Sequence, residues 1–379
     1  MSMKKNSFKR QLAVVVCMLL CGLSIQAADD GLITDQIVIN KLEAGTLPQR
    51  ISSDEKNLIT NLKINGEING TDLRFIREMA EGSAYVYEPP KGNLSILDLS
   101  GARIISGGDY YFLLFSTIIY YIGYLAFFGC SGLTSLTLPS SLTSIGNSAF
   151  DGCSGLTSLT LPSSLTSIGD YAFAYCSGLT SLTLPSSLTS IGDNAFYYCR
   201  GLTSVTLPPS LTTIGDEAFA HCHSLASVTF PSSLASIGRK SFAYCYDLKI
   251  LSIPSGITSL RHLMAFSEET IFGDSGLESV YVAWGTPAPA GRFFNGVNIS
   301  KCTLYVPLGT KQAYWEADVW KDFGYTKEYD VTDVNKIDNH SETKEVSRYS
   351  LDGQRLASPT KGINIVRYSD GSIKKEMVE

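Results

Sequence analysis

From residue 130 to residue 253 the apolar positions of this chain fall into one repeating figure. L-x-x-L-x-L-P opens at Leu133, Leu136, Leu138 and Pro139 and returns at Leu156, Leu159, Leu161 and Pro162. Later copies run through Leu179, Leu182, Leu184; Leu202, Val205, Leu207; Leu225, Val228, Phe230; and Leu248, Leu251, Ile253. A cysteine stands three residues before each, at 130, 153, 176, 199, 222 and 245, so the period is 23 residues. The alternating L-x-L predicts a short strand with one face inward, and proline, which has no N–H, ends it. "SSLTSIG" at 163–169 then puts Leu165 and Ile168 inward. "DYAFAY" at 170–175 predicts one helical turn, N-capped by Asp170, with Ala172 and Phe173 facing in.

A unit this short cannot bury its apolar face alone, so units must stack, strand beside strand at about 4.8 Å. The expected architecture is a β-dominated solenoid of 23-residue repeats with a parallel sheet and short helical turns on the far side. Ile122, Gly123, Ala126 and Phe127 match the end of a preceding unit. The strand template returns more loosely as Ile59, Leu62, Ile64 and as Leu94, Leu97, Leu99. "LESVYVAWGTPAP" and "CTLYVPLGTKQAYWEADVWKDF" read as irregular closing units. The expected division is a leader at 1–28, an N-terminal cap at 29–106, regular repeats at 107–262, irregular repeats and a cap at 263–328, a polar linker at 329–344, and a C-terminal β tail at 345–379. In the tail, "DG", "TKG" and "SDG" turns separate alternating segments and predict two hairpin-like strand pairs.

L-x-x-L-x-L followed by P-x-x-L-x-x-I-G-x-x-A-F-x-x-C resembles the BspA-like leucine-rich repeats of secreted and surface proteins from Bacteroides-type bacteria, over residues 107 to 260. The resemblance implies a cell-surface or secreted setting, adhesion rather than catalysis, and a host matrix or cell-surface protein, or a glycan, as partner. "GINIVRYSDGSIKK" is similar to the final strands of C-terminal sorting tails of the same bacterial group. A small β appendage with no export role is the other reading of that segment.

The N-terminus supports export on its own. Lys4, Lys5, Lys9 and Arg10 precede the apolar run "LAVVVCMLLCGLSI", and small residues mark a cut near Ala27 or Ala28. A lipoprotein leader with Cys21 as the lipidated residue is the rival, although Leu20 stands where a small residue is wanted. No other segment reaches about 18 apolar residues, so the sequence predicts no membrane span in the mature chain. Net charge is -6 and only 17% of the 379 residues are charged. With no basic stripe to neutralise phosphates, the composition argues against a nucleic-acid partner.

Candidate chemistry is sparse. The six repeat cysteines occupy equivalent positions with parallel Cβ vectors, which suits a buried thiol ladder better than disulfides. Disulfides or a metal remain alternatives at this level, though the clustering a zinc site wants is lacking. The residues between the strand leucines face out as two hydroxyl columns: Ser135 and Thr137, Ser158 and Thr160, Ser181 and Thr183, Ser204 and Thr206, Ser227 and Thr229. They are read as a flat uncharged docking face, as a lattice-matching face, or as soluble strand filler. Tyr171, Tyr175, Tyr197, Tyr198, Tyr244 and Tyr246 are read as amphipathic contact residues or, alternatively, as cover for the edge of a coil whose core is thin. Asn147, Asp170, Asp193 and Asp216 form a column read as repeated N-caps or, alternatively, a calcium column. His221 and His223 flank Cys222, with His262 further on, and offer at most part of a metal site. No nucleophile elbow, His-Glu-x-x-His or phosphate loop occurs. The sequence therefore predicts a monomeric binding protein without cofactor or metal, with a structural, lattice-contacting role as the alternative and an enzyme as a distant third.

Overall fold

The computed structural model describes residues 31–80, 92–112, 115–117, 121–257, 270–331, 345–350, 355–356, 358, 361–368 and 373–378. The leader read at 1–28, most of the linker read at 329–344, and His262 lie outside the described residues. Each repeat is one turn of a solenoid. A three-residue front strand, Ser158–Thr160 for example, is followed by a proline-headed turn and a two-residue back strand, Ser167–Ile168. In that turn the Leu165 N–H donates to the Pro162 carbonyl at 3.1 Å.

The front strands run parallel and in register. Leu62, Leu97, Leu136 and Leu159 are successive partners, so the loosely repeated N-terminal strands join the same stack as the regular ones. At the other end Ser227–Thr229 begins a five-stranded parallel sheet that ends with Tyr325–Tyr329. The back strands form one six-stranded parallel sheet from Tyr121–Ile122 to Ser236–Ile237. Ile122, Ile145, Ile168, Ile191, Ile214 and Ile237 are aligned along it and buried.

The front face differs from the back. Its ladder stops between Ser158–Thr160 and Ser181–Thr183, and again between Ser204–Thr206 and Ser227–Thr229. The first gap separates strands of identical sequence, so side-chain chemistry does not cause it. Leu159 and Leu161 beside it are only partly buried, which fits neighbouring coils lying further apart there. The ladder under the hydroxyl face is therefore interrupted twice, although the Ala226 N–H still donates to the Thr203 carbonyl at 3.1 Å across the second break.

The segment expected to be a helical turn is built otherwise. Ala172, Ala174 and Cys176 donate to the carbonyls three residues back, at 3.1–3.3 Å, while the alternate residues reach the next coil. Tyr171, Phe173 and Tyr175 donate to the carbonyls of Asp193, Ala195 and Tyr197 at 2.7–2.8 Å. A helix would need consecutive i to i−4 bonds; here half of the N–H groups tie one coil to the next. Tyr171 and Tyr175, at φ 56° and 57°, break any helical run. The result is a third inter-coil ladder, with a stack of phenylalanines beneath it. Phe127, Phe150, Phe173, Phe196, Phe219 and Phe242 are buried with successive ring centroids 5.1–5.5 Å apart and planes within 9°.

Two caps close the core. At the N-terminal end the amphipathic helix Gly70–Met79 buries Leu73, Ile76 and Met79. Its buried Asp72 accepts from the backbone N–H groups of Gly45, Leu47 and Asn69 at 2.6, 2.9 and 3.0 Å. At the other end Trp284, Phe293, Phe294, Tyr314, Trp320 and Phe323 form an aromatic plug. Its polar edges are paired, with Trp320 Nε1 donating to Ala288 O at 2.8 Å and Tyr314 Oη to Trp284 O at 3.0 Å. The tail strands Glu345–Ser350, Arg355–Leu356, Gly362–Tyr368 and Ile373–Val378 form a single antiparallel sheet, the two expected hairpins joined through its central pair.

Candidate binding surface

The hydroxyls of the repeat divide into two sets. Outside the front strands they serve the backbone: Thr166, Thr189 and Thr212 each donate to the equivalent threonine carbonyl one coil earlier at 3.0 Å. Ser187, Ser210 and Ser233 donate at 2.6 Å to Leu165, Leu188 and Leu211. Within the front strands Ser158, Thr160, Ser181, Thr183, Ser204 and Thr206 are exposed, and Ser135, Thr137, Ser227 and Thr229 are partly covered. Neighbouring strands bring eight of these ten together in two sets, Ser135 and Thr137 with Ser158 and Thr160, and Ser181 and Thr183 with Ser204 and Thr206, whereas Ser227 and Thr229 pair with Ile250 and Ser252. In the second gap a cleft of about 440 Å³ opens, lined among others by Val205, Thr206, Pro209, Thr229 and Phe230. Three of these, Val205, Pro209 and Phe230, stand where most other repeats carry Leu, Ser and Leu.

A second surface follows the residue immediately before each cysteine. That position has positive φ in every repeat coil: Gly129 and Gly152 at 72° and 78°, then Tyr175, Tyr198, His221 and Tyr244 at 57–60°. Left-handed backbone is uncommon for bulky residues and costs about 1–3 kcal/mol when surroundings enforce it. Four successive coils nevertheless carry an aromatic ring where the first two carry glycine. The rings form an outer stack, Tyr175 to Tyr198 at 5.3 Å, Tyr198 to His221 at 4.1 Å and His221 to Tyr244 at 4.4 Å, with planes within 25°. Tyr197 packs edge-on against Tyr175 and Tyr198, His223 lies against Tyr246, and the Arg200 guanidinium sits 4.7 Å over the Tyr198 ring.

Of the expected tyrosines, Tyr175, Tyr197 and Tyr198 thus come together. Tyr171 is exposed in a separate left-handed column, between Ser148 and Asn194. Tyr244, also expected, and His221 complete the stack; His221 was read only as part of a metal site, and the identity of the residue before each cysteine was the signal that would have placed it here. Burial, then the neighbouring phenols of Tyr198 and Tyr175, pushes the Tyr197 phenol up to about 12, so it remains a hydrogen-bond donor. Burial first, then His223 and Arg200, lowers the His221 pKa and favours the neutral ring. His221 and His223 do not converge with the cysteine between them, because Cys222 is buried and its Sγ donates to Phe196 O at 3.3 Å.

The same bond recurs along the thiol column. Cys153, Cys176, Cys199 and Cys245 donate to the carbonyls of Phe127, Phe150, Phe173 and Phe219 at 3.2–3.3 Å. All are free thiols buried in the core, and burial pushes Cys199 and Cys245 up to about 12. Free thiols in the core leave no inter-coil disulfide among these residues. The acidic column also works between coils rather than as helix N-caps. Asn147, Asp170, Asp193 and Asp216 each accept, through Oδ1, the backbone N–H of the equivalent residue one coil later, at 2.7–3.0 Å. Arg239 ends the series by laying its Nε on Asp216 Oδ2 at 2.8 Å. Among the described residues no group of three or more His, Cys, Asp or Glu is placed to hold a metal ion.

Residues 111–200 and 189–272 match the family described as BspA type leucine rich repeat region, in 6 copies. These coils are BspA-type leucine-rich repeats. Similar solved structures include a leucine-rich repeat protein from Bacteroides ovatus, at 25% identity and TM-score 0.35, over 56% of this chain and 65% of that one. The chain therefore spans just under two thirds of that protein's length. A leucine-rich repeat protein of T. pallidum is 21% identical with TM-score 0.37, over 81% of this chain and 94% of that one. A leucine rich cell surface protein from Faecalibacterium prausnitzii is 16% identical with TM-score 0.25, over 61% and 88%. No curated protein matches. No helix among the described residues is long and apolar enough to cross a membrane.

Proposed function

We propose that this BspA-type protein is exported and acts at the cell surface, or as a secreted molecule, as an adhesin-like binding protein for a protein or glycan partner, and not as an enzyme. The observation that carries the reading is the outer aromatic stack. Tyr175, Tyr198, His221 and Tyr244 occupy a backbone conformation that glycine serves better, as Gly129 and Gly152 do in the earlier coils. What folding gains from stacking these rings is offset by the left-handed strain they carry. A contact surface does gain, since rigid amphipathic rings give large contact area at low entropic cost. The leader-like N-terminus and an extended solenoid flank fit large partners better than small substrates.

The test is to screen the full chain, processed after its leader, against matrix proteins, mucins and arrayed glycans. Binding should fall at least about tenfold when Tyr175, Tyr198, His221 and Tyr244 are all changed to glycine, with the melting transition retained. Replacing Thr160, Thr183 and Thr206 with lysine should leave that binding in place. The opposite pattern would transfer the role to the hydroxyl face and to the lattice-contacting alternative. Uniform lack of binding would overturn the reading.

A further inference from the structure

The outer stack has an unfinished end. Tyr175 is 47% exposed, and its ring neighbours, Tyr197 and Tyr198, both belong to the following coil. On the preceding coil the same position is Gly152, and before that Gly129, both with left-handed backbone. A Cβ placed at Gly129 would meet nothing within 4 Å, and one at Gly152 would meet only the Gly129 backbone, at 3.4 Å. Among the described residues, then, a step two coils deep, bare of side chains in this column, lies before Tyr175.

Asp151 borders this step, one residue before Gly152. The matching residues in later coils are Ala174, Tyr197, Ala220 and Ala243, so the carboxylate is a departure from the repeat. It is partly buried, and burial raises its pKa to about 6. It has no ion pair with any described residue. Its charge reaches the Tyr175 phenol, which is pushed up by burial first and by Asp151 next. A desolvated carboxylate beside an open aromatic face and a bare backbone is complementary to a flat cation.

We propose that the step formed by Gly129 and Gly152, between the free face of Tyr175 and the carboxylate of Asp151, receives an arginine side chain of a protein partner. A guanidinium is the occupant whose chemistry uses every wall. Its plane extends the stack, and its edge presents two parallel N–H groups to the carboxylate. The protein already shows the stacking half of the contact, with Arg200 lying 4.7 Å over Tyr198 two rungs along. Lysine would bring charge without a plane, and a sugar would stack while leaving the carboxylate uncompensated. The net charge of -6 favours the approach of a cationic segment.

This inference rests on the proposed binding role, and its test separates the two. The probe is the blocked tripeptide acetyl-Gly-Arg-Gly-amide, titrated into the full chain after leader removal and followed by NMR. The citrulline and lysine counterparts serve as controls, because citrulline keeps the plane and loses the charge. Saturable shifts with the arginine peptide, and at least about tenfold weaker binding of both counterparts, are expected. Asp151→Asn should weaken binding by a similar factor. Gly152→Tyr should abolish it by adding the ring that Tyr175 and Tyr198 already supply on later coils. Should Gly152→Tyr perturb the melting transition, Asp151→Asn still decides, since it changes no volume. Equal affinity for arginine and citrulline peptides, or indifference to both substitutions, would overturn the proposal. A macromolecular partner that still binds Gly152→Tyr would sink this site alone, whereas arginine binding without any macromolecular partner would sink the wider function alone.

Discussion

Two aromatic ladders run along the same coils, two residues apart, and they obey different rules. The inner one is all phenylalanine, Phe173, Phe196, Phe219 and Phe242 among its rungs, and every rung is buried with its plane nearly parallel to the next. The outer one reads Tyr175, Tyr198, His221 and Tyr244, begins only after two glycines, and sits on left-handed backbone. The inner ladder is uniform because each ring must fill the same space against identical neighbours, at native packing density. The outer ladder faces water, so nothing in packing demands uniformity or even a ring. The outer ladder thus places rings where the backbone conformation alone favours glycine.

The comparison breaks most visibly if the inner ladder is dispensable. Phe196→Ala removes a fully buried ring from between two others and should cost about 3–5 kcal/mol, read from a urea or thermal melt. A loss below about 1 kcal/mol would mean the inner rings do not bear the stability assigned to them. A middle-sized effect is expected in the acidic column. Asp193→Ala leaves the Asp216 N–H without its 2.7 Å acceptor and should cost about 1–2 kcal/mol. Asp193→Asn should lose far less, because Asn147 already performs the same task for Asp170 through its side-chain oxygen.

Much of this was legible in the chain. The period of 23, the L-x-L strands, and the inward Leu, Ile, Phe and Cys columns follow from spacing alone, because a stacked core must bury the same positions in every coil. The A-F segment was not legible. Its composition suits a helical turn, and only the backbone shows that alternate N–H groups leave for the next coil. For the same reason Asp170 reads as a local cap in one dimension, while in three its Oδ1 serves Asp193, 23 residues on. The breaks in the front sheet were invisible in principle, since the first separates two copies of Ser-Leu-Thr. The outer stack lay in between: its tyrosines were visible as a group, but their column needed the φ values.

A smaller effect sharpens the contrast at its boundary, where Asp151 borders the last glycine rung. Its ordinary carboxylate pKa of 3.8 rises to about 6 in the folded chain through burial. Between those two values the folded state holds a proton that the unfolded state has released. Stability therefore falls as pH rises from about 4 to about 6 and levels off above. Asp151→Asn should remove that slope and raise stability at pH 7 by about 1 kcal/mol, after allowing for solvent screening of a partly exposed group. Melting temperatures of both proteins at pH 4 and pH 7 check it. Parallel pH dependence in the two would mean that the carboxylate is not desolvated, and the arginine site would lose its motive.

The smallest stability effect is the one that matters most for function. Tyr198→Gly gives up stacking on two sides, about 0.5–1.5 kcal/mol for each ring pair, and the Arg200 contact. Against that it relieves a left-handed tyrosine, whose strain is of the same order. The two should cancel to within about 1 kcal/mol, although a cluster of largely half-buried rings has been cut through its middle. Partner binding should nevertheless drop, because the contact area shared by Tyr175, Tyr198 and His221 is lost. If stability instead fell by the 3–5 kcal/mol expected of Phe196→Ala, the outer ladder would be a second core and its tyrosines would need no partner to account for them.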